Sequence, residues 1–202
     1  LSIAKSELQV FFYSPIAWII MVIFTFQAGL IFTETFDSFM MGKNAGAPLY
    51  DMTAQLFVSM RGLFSQIQSS LYLYIPLLTM NVMSREFSNG SVKLLYSSPV
   101  NNYQIIFGKY IALVVYAFVI VCLLAVFGLF AGGVVKNIDW PLLLCGLIGL
   151  FLLTCAYSAI GLFMPSLTSY SVVAAMGTLA ILSLLSYVKN VWQDIDIIRD
   201  IT

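Results

Sequence analysis

Arg85, Glu86, Lys93 and Lys109 share one polar stretch, residues 84–109, set between two long apolar runs. Phe87, Gly90, Ser91, Leu94, Leu95 and Pro99 stand among them. Apolar side chains ringed by charges of both signs do the chemistry of protein docking, in which the apolar groups fill pockets and the charges form a wet rim. Asn89-Gly90 is a turn signal, and Ser98-Pro99 breaks whatever helix Ser91 to Ser97 begin. A short helix carrying Val92, Leu94 and Leu95 is expected here, followed by a cap at Asn101 with Gln104 three residues on. Lys109, a turn or two inside the next apolar run, is expected to snorkel to the surface. The bland alternative is a solvated loop with no partner.

Catalytic chemistry is poorly provided for. The chain has no histidine, which removes His-based metal sites and His acid–base catalysis. Serines are plentiful, but nothing nearby activates them as nucleophiles. No zinc-protease HExxH and no phosphate-binding GxxxxGK sequence occurs. Cys122, Cys145 and Cys155 all lie inside apolar runs and read as small hydrophobes, not as a disulfide framework. The chain is therefore not expected to be an enzyme, to hydrolyse ATP, or to hold a cofactor or metal of its own.

The elements that position the polar stretch are set by composition. Of 202 residues, 61% are hydrophobic and 9% charged, against about 25% charged in soluble domains. Such a chain cannot keep its surface wet, so the lipid bilayer is its natural solvent. The net charge is zero, and nine Lys and Arg scattered along the chain form no basic face for nucleic acid. Five stretches approach the roughly 20 apolar residues of a transmembrane helix: near 16–33, 62–83, 110–132, 141–163 and 169–188. The fold class expected is all-α, a polytopic membrane helix bundle in one domain. Leu1 is not Met, so a trimmed N-terminus is expected; no small-residue cleavage site follows the first apolar run, so a signal peptide is not.

Residues 1–14 place Leu1, Ala4, Leu8, Phe11 and Phe12 on one helical face and Ser2, Lys5, Ser6 and Gln9 opposite, the pattern of an interfacial helix lying on the membrane. A helix simply packed on its neighbours fits the same pattern. Ser14-Pro15 fits a cap followed by Pro at the first helical position. Residues 34–61 read as a polar, irregular loop. The second span opens with Ser65, Gln66, Gln68, Ser69 and Ser70, and Thr79 follows Pro76, which should bend or loosen the helix. Gln66, Gln68, Ser69 and Thr79 either line a substrate path or bond one helix to another. Gly128 and Gly132 permit close helix packing, Lys136 to Pro141 reads as a short turn, and Pro165 is expected to stop the fourth span before Thr168 or Ser169 caps the fifth. Residues 189–202 form a polar tail. Positive charges do not decide the orientation: Lys5, Arg85, Lys93 and Lys109 fall on one side, and Lys43, Arg61, Lys136, Lys189 and Arg199 on the other.

Ile75-Pro76-Leu77-Leu78-Thr79-Met80, then Arg85-Glu86, Gly90-Ser91, Leu94-Leu95, Ser98-Pro99-Val100 and Gly108-Lys109, resemble the ABC-2 family of ABC transporter permeases. Lys5-Ser6-Glu7, Phe11-Phe12-Tyr13-Ser14-Pro15 and Gly161-Leu162-Phe163-Met164-Pro165-Ser166-Leu167-Thr168 look like that family too, most closely its bacterial, gliding-motility-type branch. The resemblance implies a six-span subunit of the bacterial inner membrane, N-terminus inside, that forms homo- or heterodimers. It implies two cytoplasmic ATP-binding cassette ATPase partners, with ATP and Mg bound there and not here. A sixth span is then expected after Thr202. Residues 1–14 would be the elbow helix and 84–101 the coupling helix, with Arg85, Glu86, Phe87, Gly90, Ser91, Lys93, Leu94, Leu95, Pro99 and Lys109 as coupling residues. The implied function is transport, in the export direction, powered by the partner. Two other readings compete: a membrane anchor for a soluble complex, and an ion-coupled carrier, which the absence of Asp, Glu, Lys and Arg from the span interiors disfavours.

Overall fold

The computed structural model describes residues 2–44, 53–59, 61–88, 102–134, 138–168 and 170–194. Among the described residues six α-helices follow one another: α1 (Ser2–Phe12), α2 (Pro15–Asn44), α3 (Leu63–Ser88), α4 (Asn102–Val134), α5 (Trp140–Leu167) and α6 (Ser171–Asp194). One turn of π-helix, Ala54–Val58, precedes α3. No strand occurs among the described residues, so the all-α bundle expected from composition is the fold observed.

Among the described residues four helices are long and apolar enough to cross a membrane: Pro15–Met41, Ile106–Gly133, Trp140–Leu167 and Ser171–Val188. The remaining expected span, α3, has the length at 26 residues but not the apolarity, because Ser65, Gln66, Gln68, Ser69 and Ser70 crowd its first half. Its position explains why it tolerates them. α3 packs against α2, α5, α6 and the π turn, so much of its surface meets protein.

Each long helix buries one narrow stripe. In α2 the stripe is Ala17, Ile20, Phe24, Ala28 and Ile31; in α6 it is Ala174, Thr178 and Leu182. These recur every three or four residues, the spacing of one helical face. The opposite faces are equally apolar: Phe26, Phe118, Leu152 and Met176 are all exposed on the chain. Lipid gives such helices no hydrophobic drive to associate, so small residues and hydrogen bonds decide which faces meet. Gly128 and Gly132 do this at one end of α4. A Cβ on Gly128 would meet Leu143 at 2.7 Å, and one on Gly132 would meet the Trp140 ring at 3.0 Å, so the expected small-residue contact joins α4 to the start of α5.

Several boundaries differ from the sequence reading. Residues 34–44, read as loop, continue α2, since no glycine intervenes before Gly42 and Phe36 and Phe39 pack on the core. Pro165 does not stop α5; the helix passes through it to Leu167, and extended Thr168 ends it. Proline forfeits only its own amide bond to the carbonyl four residues back, that of Gly161, and the two residues left before the helix end complete the turn. Thr168 then accepts a hydrogen bond from the Tyr170 amide at 3.3 Å, just ahead of α6. Packing on its neighbours, one of the two readings open for residues 1–14, describes α1. It packs along α4, with the Phe11 ring edge-on to Tyr116 at 5.2 Å and the Tyr116 hydroxyl donating to the Ala17 carbonyl at 2.9 Å. Ser14-Pro15 opens α2 as expected, with Pro15 its first residue.

Three of the hydroxyls buried in the bundle are satisfied within their own helices. Thr154, Ser158 and Thr178 each donate to the carbonyl four residues back, at 2.7–2.8 Å. They present packing surface, not reactive groups.

Candidate functional site

The polar stretch joins α3 to α4. α3 carries its first residues, including Arg85, Glu86 and Phe87, as continuous helix, and α4 begins again at Asn102. Residues 89–101 between them, with Gly90, Ser91, Lys93, Leu94, Leu95 and Pro99, lie outside the described residues, as do the tail 195–202 and Lys136. The helices flanking this segment matter for what it could transmit. α3 touches α2, α5 and α6, while α4 touches α1, α2 and α5. Between them they reach every other helix.

Lys109 is placed differently from expectation. It is 3% exposed, not at the surface, because α1 covers one side of the N-terminal half of α4 and α5 covers another. It lines a predominantly apolar cleft of about 350 Å³ between α4 and α5, with Ile106, Tyr110, Leu162, Phe163 and Ser166.

The four proposed path residues are spread out along α3. Gln66 is half-buried at the end remote from the polar stretch and lines a pocket there. Gln68 is half-buried, and Ser69 is exposed and donates to the Gln66 carbonyl at 2.7 Å. Thr79 lies about 20 Å further along the helix, at about 1.5 Å per residue. It is 1% exposed, donates to the Ile75 carbonyl at 3.0 Å, and packs on Gly161 of α5. Among the described residues its hydroxyl bonds within its own helix and not to another.

A polar contact that the sequence reading passed over joins α2 to α3. Gln27 Nε2 donates to Ser70 Oγ at 2.9 Å, and the Tyr74 hydroxyl donates to Gln27 Oε1. Ser70 in turn donates to the Gln66 carbonyl at 3.0 Å. Gln27 was discoverable: it is a lone amide well inside the first apolar run, and an amide there must find a partner on a neighbouring helix. Gln27→Leu is expected to lower the chain's stability by about 1–2 kcal/mol, since it removes the acceptor of the Tyr74 hydroxyl and the donor to Ser70. Thermal unfolding in detergent checks this; an unchanged midpoint would show that the contact carries no energy.

The two loops at the far end are tied together. The Asp139 amide donates to Thr53 Oγ1 at 2.9 Å, which fixes the start of α5 to the π turn. Among the described residues no group of three or more His, Cys, Asp or Glu could hold a metal ion. What the arrangement offers is a bundle in which the polar stretch joins two helices that between them reach all the others described.

No curated protein and no solved structure matches the chain. A family model described as ABC-2 family transporter protein matches residues 1–194. The match spans α1 through α6 and both helices that flank the polar segment, and the chain belongs to the ABC-2 family of transporter proteins.

Proposed function

We propose that this multi-pass membrane protein is the permease subunit of an exporter driven by a separate cytoplasmic ATP-binding cassette ATPase. The observation that carries the reading is the place of residues 89–101: they join the two helices that together touch all the others. A partner pushing on this segment acts on α3 and α4 at once, and through them on the whole bundle. Packed helices respond to such a push by shifting as rigid bodies. Leu94 and Leu95 serve as apolar anchors in a groove of the ATPase, with Arg85, Glu86 and Lys93 as rim charges. ATP and Mg bind on the partner, and the membrane subunit has no catalytic role. Dimerisation of the permease, the bacterial inner membrane as its location and the gliding-motility branch belong to the same proposal.

Co-purification in detergent with mass spectrometry tests it. A cassette ATPase is expected in stoichiometric amount, and it is expected to be lost from the Leu94→Asp, Leu95→Asp double variant. An ATPase retained in full by that variant would overturn the docking assignment.

A further inference from the structure

The end of α2 and α3 remote from the polar segment holds a pocket of about 430 Å³, within the usual range of ligand sites. Its wall is about half polar and includes Glu34, Ser38, Gln55, Arg61 and Gln66, with Phe39 supplying apolar surface. Among the described residues, neither the Glu34 carboxylate nor the Arg61 guanidinium has an ion-pair partner, although both line the same pocket. Their backbones are held in place. The Arg61 carbonyl accepts from Thr35 Oγ1 at 3.3 Å and from Gln66 Nε2 at 3.4 Å, which ties the corner to both helices. Just beyond it, Gly62 sits so close to the Phe57 backbone that a Cβ would lie 2.7 Å from it, and its amide donates to the Ser59 carbonyl at 2.8 Å.

We infer that this pocket binds a zwitterionic group, its cationic end on Glu34 and its anionic end on Arg61. A ligand of single charge would meet one attractive and one repulsive side chain. A ligand carrying an ammonium and a phosphate or carboxylate satisfies both, and the planar guanidinium suits a two-pronged contact with either anion. The amides of Gln55 and Gln66 add neutral donors and acceptors at the rim.

The depth of the pocket favours a phospholipid headgroup. From Pro15 to Glu34, α2 climbs about 29 Å at about 1.5 Å per residue, close to the roughly 30 Å of a bilayer's hydrocarbon core. The pocket therefore opens at headgroup level. Below it, Phe26 and Leu30 of α2 are exposed on the chain and offer an apolar track for an acyl chain. A phosphoethanolamine headgroup has the required charges. A free, water-soluble zwitterion has the same chemistry. Neither depends on an ATPase docking at the other end.

The test uses the full chain in detergent, probed with short-chain phosphatidylethanolamine, short-chain phosphatidylglycerol and water-soluble glycerophosphoethanolamine, and read by native mass spectrometry. Phosphatidylethanolamine is expected to bind about tenfold more tightly than phosphatidylglycerol, the worth of about one charge-assisted hydrogen bond. E34Q is expected to erase that preference, and R61Q to weaken both lipids about tenfold by the same measure. Both residues are exposed, so both variants should keep the wild-type size-exclusion profile. Glycerophosphoethanolamine binding as well as the lipid would assign the site to free zwitterions, and binding of the lipid alone would assign it to the membrane. Equal binding of the two lipids by the wild-type chain would overturn the inference without any variant. A preference that survives both E34Q and R61Q would overturn it too.

Discussion

Replacing Leu94 and Leu95 together with Asp is expected to abolish ATP-dependent transport while leaving the chain in the membrane. Fully burying a leucine contributes about 1.5–3 kcal/mol. Losing two such anchors removes about 3–6 kcal/mol, and pressing carboxylates into an apolar groove adds a desolvation penalty. A loss of about 4 kcal/mol already weakens docking about a thousandfold. Stimulated ATPase activity should therefore fall to the basal rate of the isolated ATPase. The spans should be untouched, because residues 89–101 lie between α3 and α4 and not within them. Reconstitution with the co-purified ATPase gives the rate, and alkaline extraction of membranes reports insertion. Glu86→Arg should act more mildly, since a rim charge changes the association rate and salt dependence more than the final affinity. Normal stimulation in the Leu94→Asp, Leu95→Asp variant would remove the coupling role from this segment.

The second large effect lies at the contact between α3 and α5. Gly161→Ala is expected to destabilise the chain by about 1–3 kcal/mol, the usual result of overpacking a tight core. The added Cβ would stand 2.5 Å from Thr79 Cγ2, 3.0 Å from Thr79 Oγ1 and 3.2 Å from Ile75 Cγ2. Thr79 cannot readily swing aside: it is 1% exposed, and its hydroxyl is engaged with the Ile75 and Pro76 carbonyls at 3.0 and 3.3 Å. Thr79→Ser removes the offending methyl and keeps the hydroxyl. The Gly161→Ala, Thr79→Ser double variant should therefore recover much of the loss, with a coupling energy of about 1–2 kcal/mol in a double-mutant cycle. Thermal unfolding of the four proteins in detergent measures it. Strict additivity would mean that the two side chains do not share this contact.

Both expectations bear on α3, whose role illustrates how the chain divides between what is readable and what is not. Its polar opening, Ser65 through Ser70, marked it in the sequence as a helix that avoids lipid. Apart from the Gln27 contact, which protein surfaces replace the lipid was not readable, because α2, α5 and α6 expose apolar side chains as well as burying them. The same limit explains the boundary at residue 34. Glu34 and Asp37 suggested the end of a span, yet both are exposed on a helix whose other face, through Phe36 and Phe39, stays on the core. Lys109 shows the converse. A lysine near a span end ordinarily reaches water, and only the lateral packing of α1 and α5 against α4 encloses it.

The sequence by itself determined the solvent, the all-α class, the approximate position of the long helices and the polar segment between α3 and α4. These follow from quantities local to the chain: the length of apolar runs, the charges that interrupt them, and the prolines and turn residues at their ends. Tertiary structure alone decided which stripe of each helix is buried, that Gln27 meets Ser70 and Tyr74, that Gly161 admits Thr79, and that Glu34 and Arg61 share a pocket. In a bilayer both faces of a helix are apolar, so the hydrophobic pattern that marks the inner face of a soluble helix is absent. The choice of face passes to small residues and isolated polar groups, and those act only once their partners from distant parts of the chain are in place.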